Sequence, residues 1–269
     1  MLLLAATSCL DPYDPPAISN PDNLLVVEGI ISNEFSYINL SRTRSFDNDE
    51  PLTEQSATVL LESEEGGFSE VMQQTEPGRF VLEASLQTGQ RYRVKINTAD
   101  QLEFASTYET LLQTPEIDSV SWKYTNNGIE VYANTHDPQG NTRYYRWNYQ
   151  ETWEYRANYF SSFVYENDEL RLREDPVYTC WQTVNSSRIL TASTVRLAED
   201  RVAEEPLVFY PVDEALRFSI RYSILVQQYA ISKEAFEFWE LLKQNTEELG
   251  TFFDPQPSQL PGNLRCISN

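Results

Sequence analysis

Gly89-Gln90-Arg91-Tyr92-Arg93-Val94-Lys95-Ile96-Asn97 decides the fold class of this chain. Tyr92, Val94 and Ile96 alternate with Arg91, Arg93 and Lys95, so three apolar side chains take one face and three basic ones the other. A helix would scatter both sets around its axis; a half-buried strand separates them. The same grammar continues towards the N-terminus. Phe80, Leu82 and Ala84 follow a Pro77-Gly78 turn, and Ala57, Val59 and Leu61 precede the turn Glu64-Glu65-Gly66-Gly67, which leads into Phe68 to Gln73. Earlier still, Ser32-Asn33-Glu34 separates the apolar run Leu24 to Ile31 from Phe35 to Leu40. Roughly five to seven short strands with a turn about every ten residues predict an immunoglobulin-like β-sandwich over residues 23–112.

Gln113-Thr114-Pro115-Glu116 breaks the pattern and marks a linker at 113–118. A second β-rich domain is expected over 119–269. Ser119 to Tyr124 and Ile129 to Ala133 flank Asn126-Asn127-Gly128, a hairpin signal. Tyr144 to Tyr155 reads as one long strand or a pair, and Tyr145, Trp147, Tyr149, Trp153 and Tyr155 share a parity that would put them on one face. Ser232 caps an amphipathic helix over 233–249: Ala235, Phe238, Trp239 and Leu242 recur at helical spacing, and Gly250 supplies the stop. The expected fold is therefore mainly β, with one helix.

The chain has 269 residues, 20 basic against 41 acidic side chains, and a net charge of −21. A phosphate backbone would be repelled, which excludes nucleic acid as a partner, and anionic lipid headgroups would not attract the surface electrostatically. The hydrophobic fraction of 41% and aromatic fraction of 13% suffice for packed cores. No apolar run approaches the roughly 18 residues of a spanning helix.

Cys9 follows Met1-Leu2-Leu3-Leu4-Ala5-Ala6-Thr7-Ser8, an apolar run closing on small residues. That order is the end of a lipoprotein signal, in which the thiol of the residue after the cut accepts a diacylglycerol. Residues 1–8 are then an incomplete signal, since no Lys or Arg precedes Arg42 and a full apolar region needs roughly 7–15 residues. Leu10-Asp11-Pro12-Tyr13-Asp14-Pro15-Pro16, within a spacer at 9–22, is rich in Pro and Asp and reads as an extended tether. With Cys9 lipidated, Cys180 and Cys266 remain as an even pair, which an oxidising compartment would be expected to join. The disulfide would contribute on the order of 4 kcal/mol by constraining the unfolded chain.

Signals for chemistry are weak. His136, the one histidine, lies beside Asp137 in a polar loop and reads as a turn residue before it reads as a base or metal ligand. One histidine excludes multi-histidine zinc sites, and no G-x-S-x-G stretch houses a nucleophilic serine. Asp47-Asn48-Asp49-Glu50 offers oxygen ligands but lacks the Gly and the distant Glu of an EF-hand loop, so a solvated turn is favoured. With 41 acidic residues some carboxylate pair will sit close in space, and a glycosidase pair cannot be singled out. The aromatic set at 144–165 is assigned mostly to the core. Tyr159, Phe160 and Phe163 are expected at the periphery, as candidate ligand-binding residues.

Cys9 to Pro16 followed by Leu25-Val26-Val27-Glu28-Gly29-Ile30 resembles the opening of the Bacteroidetes lipoproteins grouped as domain of unknown function 4249. Further matches follow in the family's order: Cys180-Trp181, the helix start Ser232 to Trp239, Phe253-Asp254-Pro255-Gln256-Pro257, and Gly262-Asn263. The resemblance implies an outer-membrane lipoprotein, often encoded beside a TonB-dependent receptor, with no established activity and no catalytic residues to carry over. Family members continue past Gly-Asn with a further strand, whereas this chain stops at Asn269, which implies a cut or short C-terminus. The expectation is a non-enzymatic accessory of such a receptor in ligand capture or uptake, lipid-anchored, with no cofactor. A cell-surface adhesion or structural module is the alternative.

Overall fold

The computed structural model describes residues 24–43, 52–212, 217–247, 260 and 262–268. Cys9, the spacer, Asp47-Asn48-Asp49-Glu50 and Gly250 lie outside the described residues. Among the described residues the protein is mainly β, with antiparallel sheets and one α-helix.

The first sandwich is built from β1 (Leu25–Ile30), β2 (Phe35–Arg42), β3 (Leu52–Thr53), β4 (Thr58–Ser63), β5 (Ser69–Val71), β6 (Gln73–Glu76), β7 (Arg79–Glu83), β8 (Arg91–Asn97), β9 (Glu103–Ser106) and β10 (Glu109–Thr110). One sheet runs β1-β2-β7-β6 and the other β9-β8-β4-β5. In chain order these are the ABED and GFCC′ sheets of an immunoglobulin-type domain. The alternation over residues 91–96 has the expected effect. Tyr92, Val94 and Ile96 are buried, while Arg93 pairs with Glu62 on the outer face at 2.5 Å. Ile38, Leu40, Phe80 and Leu82 of the first sheet meet Val59, Leu61, Val94 and Ile96 of the second in one core.

The second unit contains β11 (Ile117–Thr125), β12 (Gly128–His136), β13 (Tyr144–Arg156), β14 (Phe163–Glu166), β15 (Glu169–Leu172), β16 (Thr179–Asn185), β17 (Leu190–Ser193), β18 (Arg201–Pro211) and β19 (Arg221–Ala230). Its sheets are β11-β12-β18 and one centred on β13. β13 is a single long strand: β19 pairs along one side, while β17 and β16 divide the other. Asn126-Asn127 forms the expected tight turn, closed by the Thr125–Gly128 pair. Glycine is required at 128 because a Cβ there would lie 2.0 Å from the Tyr210 carbonyl oxygen of β18.

The inward parity of β13 also holds. Tyr145, Trp147, Tyr149 and Trp153 are buried, and the first two stack with ring centres 5.8 Å apart. Tyr155 is the exception, because it lies beyond the end of the core and is 44% exposed. The indole N–H of Trp147 donates to Gln228 Oε1 (2.8 Å), and Gln228 Nε2 donates to the Pro115 carbonyl (2.9 Å). Ala230 N–H donates to Thr114 Oγ1 and Thr135 Oγ1 to the Glu116 carbonyl, so the joint is strapped along the second sandwich.

Helix α1 (Lys233–Thr246) begins where Ser232 accepts a hydrogen bond from the Ala235 N–H (3.2 Å). Its apolar stripe buries no residue fully. It lies against the outer face of the β13 sheet through Phe236 on Tyr144 and Trp239 on Arg146.

The last strand, β20 (Leu264–Cys266), returns to the first sandwich and extends the edge of β9, with Cys266 opposite Phe104. The expected unit over 119–269 therefore gives up its final strand. The expected Cys180–Cys266 disulfide is likewise corrected, since both cysteines are free thiols. Cys180 sits opposite Tyr155 in the second sandwich, whereas the edge of β9 draws Cys266 into the first.

Candidate functional site

Between β13 and β16 the chain leaves the second sandwich as a finger. Phe163–Glu166 and Glu169–Leu172 pair only with each other, reversing at Asn167-Asp168, whose φ angles of 53° and 62° give a left-handed two-residue turn. Phe163 stands opposite Leu172 and Tyr165 opposite Leu170, so all four side chains share one face. That face is open to solvent, from 52% exposure at Phe163 to 71% at Leu172. Tyr159 and Phe160, in the segment leading in, are exposed as well, and Phe160 touches the Tyr178 ring at 5.9 Å.

The three residues singled out from the sequence thus lie on or beside one exposed apolar ledge. Tyr165, Leu170 and Leu172 complete it, and sequence reading missed them. Their signal was present: alternating apolar residues on both sides of Asn167-Asp168 form a short hairpin pattern without the usual glycine. A two-stranded ribbon of this kind is marginal alone in water, and a contiguous exposed apolar face is the physical signature of a contact surface.

Midway along β13, its inward row is interrupted by a carboxylate. Glu151, only 2% exposed, accepts hydrogen bonds from Tyr222 Oη (2.6 Å) and Tyr210 Oη (2.7 Å). Arg217 Nη1 donates to Tyr210 Oη at 2.8 Å, lies 3.8 Å from Glu151 and packs over the Trp153 ring. Burial and then the bond to Glu151 push both tyrosine hydroxyls well above the ordinary phenol range. The Glu151 carboxylate and the two tyrosine hydroxyls thus satisfy one another inside the second sandwich.

His136 ends β12 with Nδ1 2.7 Å from Asp118 Oδ2 on β11, an exposed cross-strand pair. Asp137 holds the next loop. Burial would raise its pKa, but the N–H groups of Gln139, Thr142 and Asn141 donate to it and keep it below the usual carboxylate range. Among the described residues no group of three His, Cys, Asp or Glu side chains could hold a metal ion.

A family model described as "Domain of unknown function (DUF4249)" matches residues 10–269. No curated protein matches the chain. Among solved structures, the FN1–FN3 domains of chicken CNTN1 align at 17% identity and a TM-score of 0.26, over 76% of this chain and 60% of that one. The chain thus spans less than two thirds of that structure.

Proposed function

This chain belongs to the family described as domain of unknown function 4249, and from that premise we propose a non-enzymatic lipoprotein of the outer membrane, anchored through Cys9. It acts as an accessory of a TonB-dependent receptor in ligand capture or uptake. The observation that carries the reading is the apolar ledge of Phe163, Tyr165, Leu170 and Leu172, displayed on a finger that contributes nothing to either core. Covering one such large apolar side chain is worth about 1.5–3 kcal/mol, so a ledge of four gives a partner protein a substantial hold. The small-residue run before Cys9 and the Pro- and Asp-rich segment after it supply the anchor and the tether.

The test is a mild-detergent pull-down of the tagged full-length protein from its native outer membrane, read by mass spectrometry. A stoichiometric TonB-dependent barrel is expected, together with its loss when Phe163 and Leu172 are both replaced by serine. Recovery of the lipoprotein alone would overturn the receptor reading and favour an adhesion or structural module, a role compatible with the immunoglobulin-type strand order of the first sandwich.

A further inference from the structure

A cleft of about 1930 Å³ runs between the outer face of the β1-β2-β7 sheet and the outer face of the β13-β19 pair, with α1 at its rim. One wall carries Tyr37 and the cross-strand row Glu28, Asn39 and Arg79. The opposite wall carries the register pairs Arg146–Tyr229 and Asn148–Gln227. These side chains face the cleft because their strand neighbours Ile38, Phe80, Tyr145 and Trp147 face the cores.

Arg146 is the unusual member. Its guanidinium lies 3.6 Å from the centre of the Trp239 ring, its Nε is buried without a hydrogen-bond partner, and it forms no ion pair among the described residues. Burial lowers its pKa, against the opposing pull of Tyr37, Glu28 and Tyr229 around it. Glu28, on the opposite wall, acts on it electrostatically, yet no ion pair joins the two among the described residues. Stacking on Trp239 fixes the plane of the fork and leaves its N–H edge for a planar anion, which a carboxylate matches in two parallel hydrogen bonds.

The rest of the lining narrows the class. Asn39, Asn148 and Gln227 carry amides that both donate and accept, as peptide groups do. Glu28, Glu34 and Glu234 also line the cleft, so a polyanion would be repelled, whereas a ligand with a cationic end would be drawn in. We infer that the cleft between the two sandwiches binds a short zwitterionic peptide, with its C-terminal carboxylate on Arg146 and its ammonium end among the cleft's carboxylates. The volume exceeds the roughly 300–1,000 Å³ of a drug-sized site and suits a chain of several residues. This goes beyond the receptor reading and does not depend on it, since binding is a property of the isolated protein.

The test uses the purified protein, immobilised, with a pool of synthetic tetrapeptides bearing free C-termini and the same pool C-terminally amidated, retention being read by mass spectrometry. Free acids are expected to be retained about tenfold or more above the amides, since one charged hydrogen-bonding pair is lost. Arg146→Gln should abolish that preference. Because Arg146 also packs on Trp239, the double variant Asn148→Ala and Gln227→Ala provides a second reading that leaves that contact intact and should weaken retention of both pools. The Phe163→Ser and Leu172→Ser pair, away from the cleft, should retain peptides normally even where it loses the barrel. Equal retention of acids and amides, or none of either, would overturn the assignment.

Discussion

Tyr222 donates its phenolic hydrogen to Glu151 across 2.6 Å, tying neighbouring strands β19 and β13 together inside the second sandwich. Tyr210 on β18 reaches the other carboxylate oxygen from the facing sheet, so one buried charge joins both layers. Removing the Tyr222 hydroxyl leaves that charge with one fewer donor. Tyr222→Phe should therefore destabilise the protein by about 1.5–3 kcal/mol, read as a lower urea midpoint with an unchanged slope. A midpoint within error of the parent would mean that the carboxylate is not held as described.

This cluster, together with Tyr145 beside Asp200, fixes the response to alkali. Tyr145, Tyr149, Tyr210 and Tyr222 all lie above the ordinary phenol value of 10.0, through burial first and neighbouring carboxylates second. Their folded pKa values are raised, so below pH 10 both states hold the protons and the stabilisation is intact. Above it the unfolded chain releases protons that the folded chain keeps, and stability falls as pH climbs towards the folded values. Urea midpoints measured from about pH 9 to pH 11 should drop steeply, with part of the phenolate absorbance appearing only on unfolding. A single smooth titration of all tyrosines without loss of structure would contradict this.

Legibility in the sequence followed periodicity. Tyr92-Arg93-Val94-Lys95-Ile96 and the row from Tyr145 to Trp153 announced their buried faces because each alternates over a half-buried strand. Glu151 was not legible: it shares the parity of the aromatic row, but only the folded chain brings Tyr210, Tyr222 and Arg217 to it from distant segments. The finger was half legible, with Tyr159, Phe160 and Phe163 read as peripheral and its second strand unseen. The cleft residues were hidden for another reason. Outward-facing Arg146, Asn148 and Gln227 look like ordinary solvated positions until another sheet is set against them.

Core aromatics and the exposed aromatics beside the ledge should differ sharply. Trp147 is fully buried, stacks on Tyr145 and bonds Gln228, so Trp147→Ala should cost about 3–5 kcal/mol. Tyr159→Ala and Phe160→Ala, in the exposed segment leading into the finger, should each stay within about 0.5 kcal/mol of the parent. Thermal unfolding of the three variants checks both halves. Comparable losses from either of these two variants would show that this segment packs on the body.

Cys180 and Cys266 should both carry free thiols. Intact mass should be the same before and after reduction, and Cys266, the more exposed, should alkylate faster in the native state. A mass lower by two hydrogens before reduction would restore the disulfide and require β20 to leave β9.

That strand supplies the last expectation. β9 would otherwise end its sheet with unpaired N–H and C=O groups, and β20 covers them, with the Arg265–Ala105 and Cys266–Phe104 pairs in register and Leu264 packed on the first core. Leu264→Asp places a charge against that core and loosens the strand. It should lower the stability of the first sandwich by about 1–3 kcal/mol and raise light scattering on mild heating as the bare edge recruits other chains. Cys266→Ser, exposed on the same strand, should do neither. If Leu264→Asp leaves stability and scattering unchanged while Cys266→Ser behaves as stated, β20 only rests on the edge. The first sandwich would then end at its own G strand.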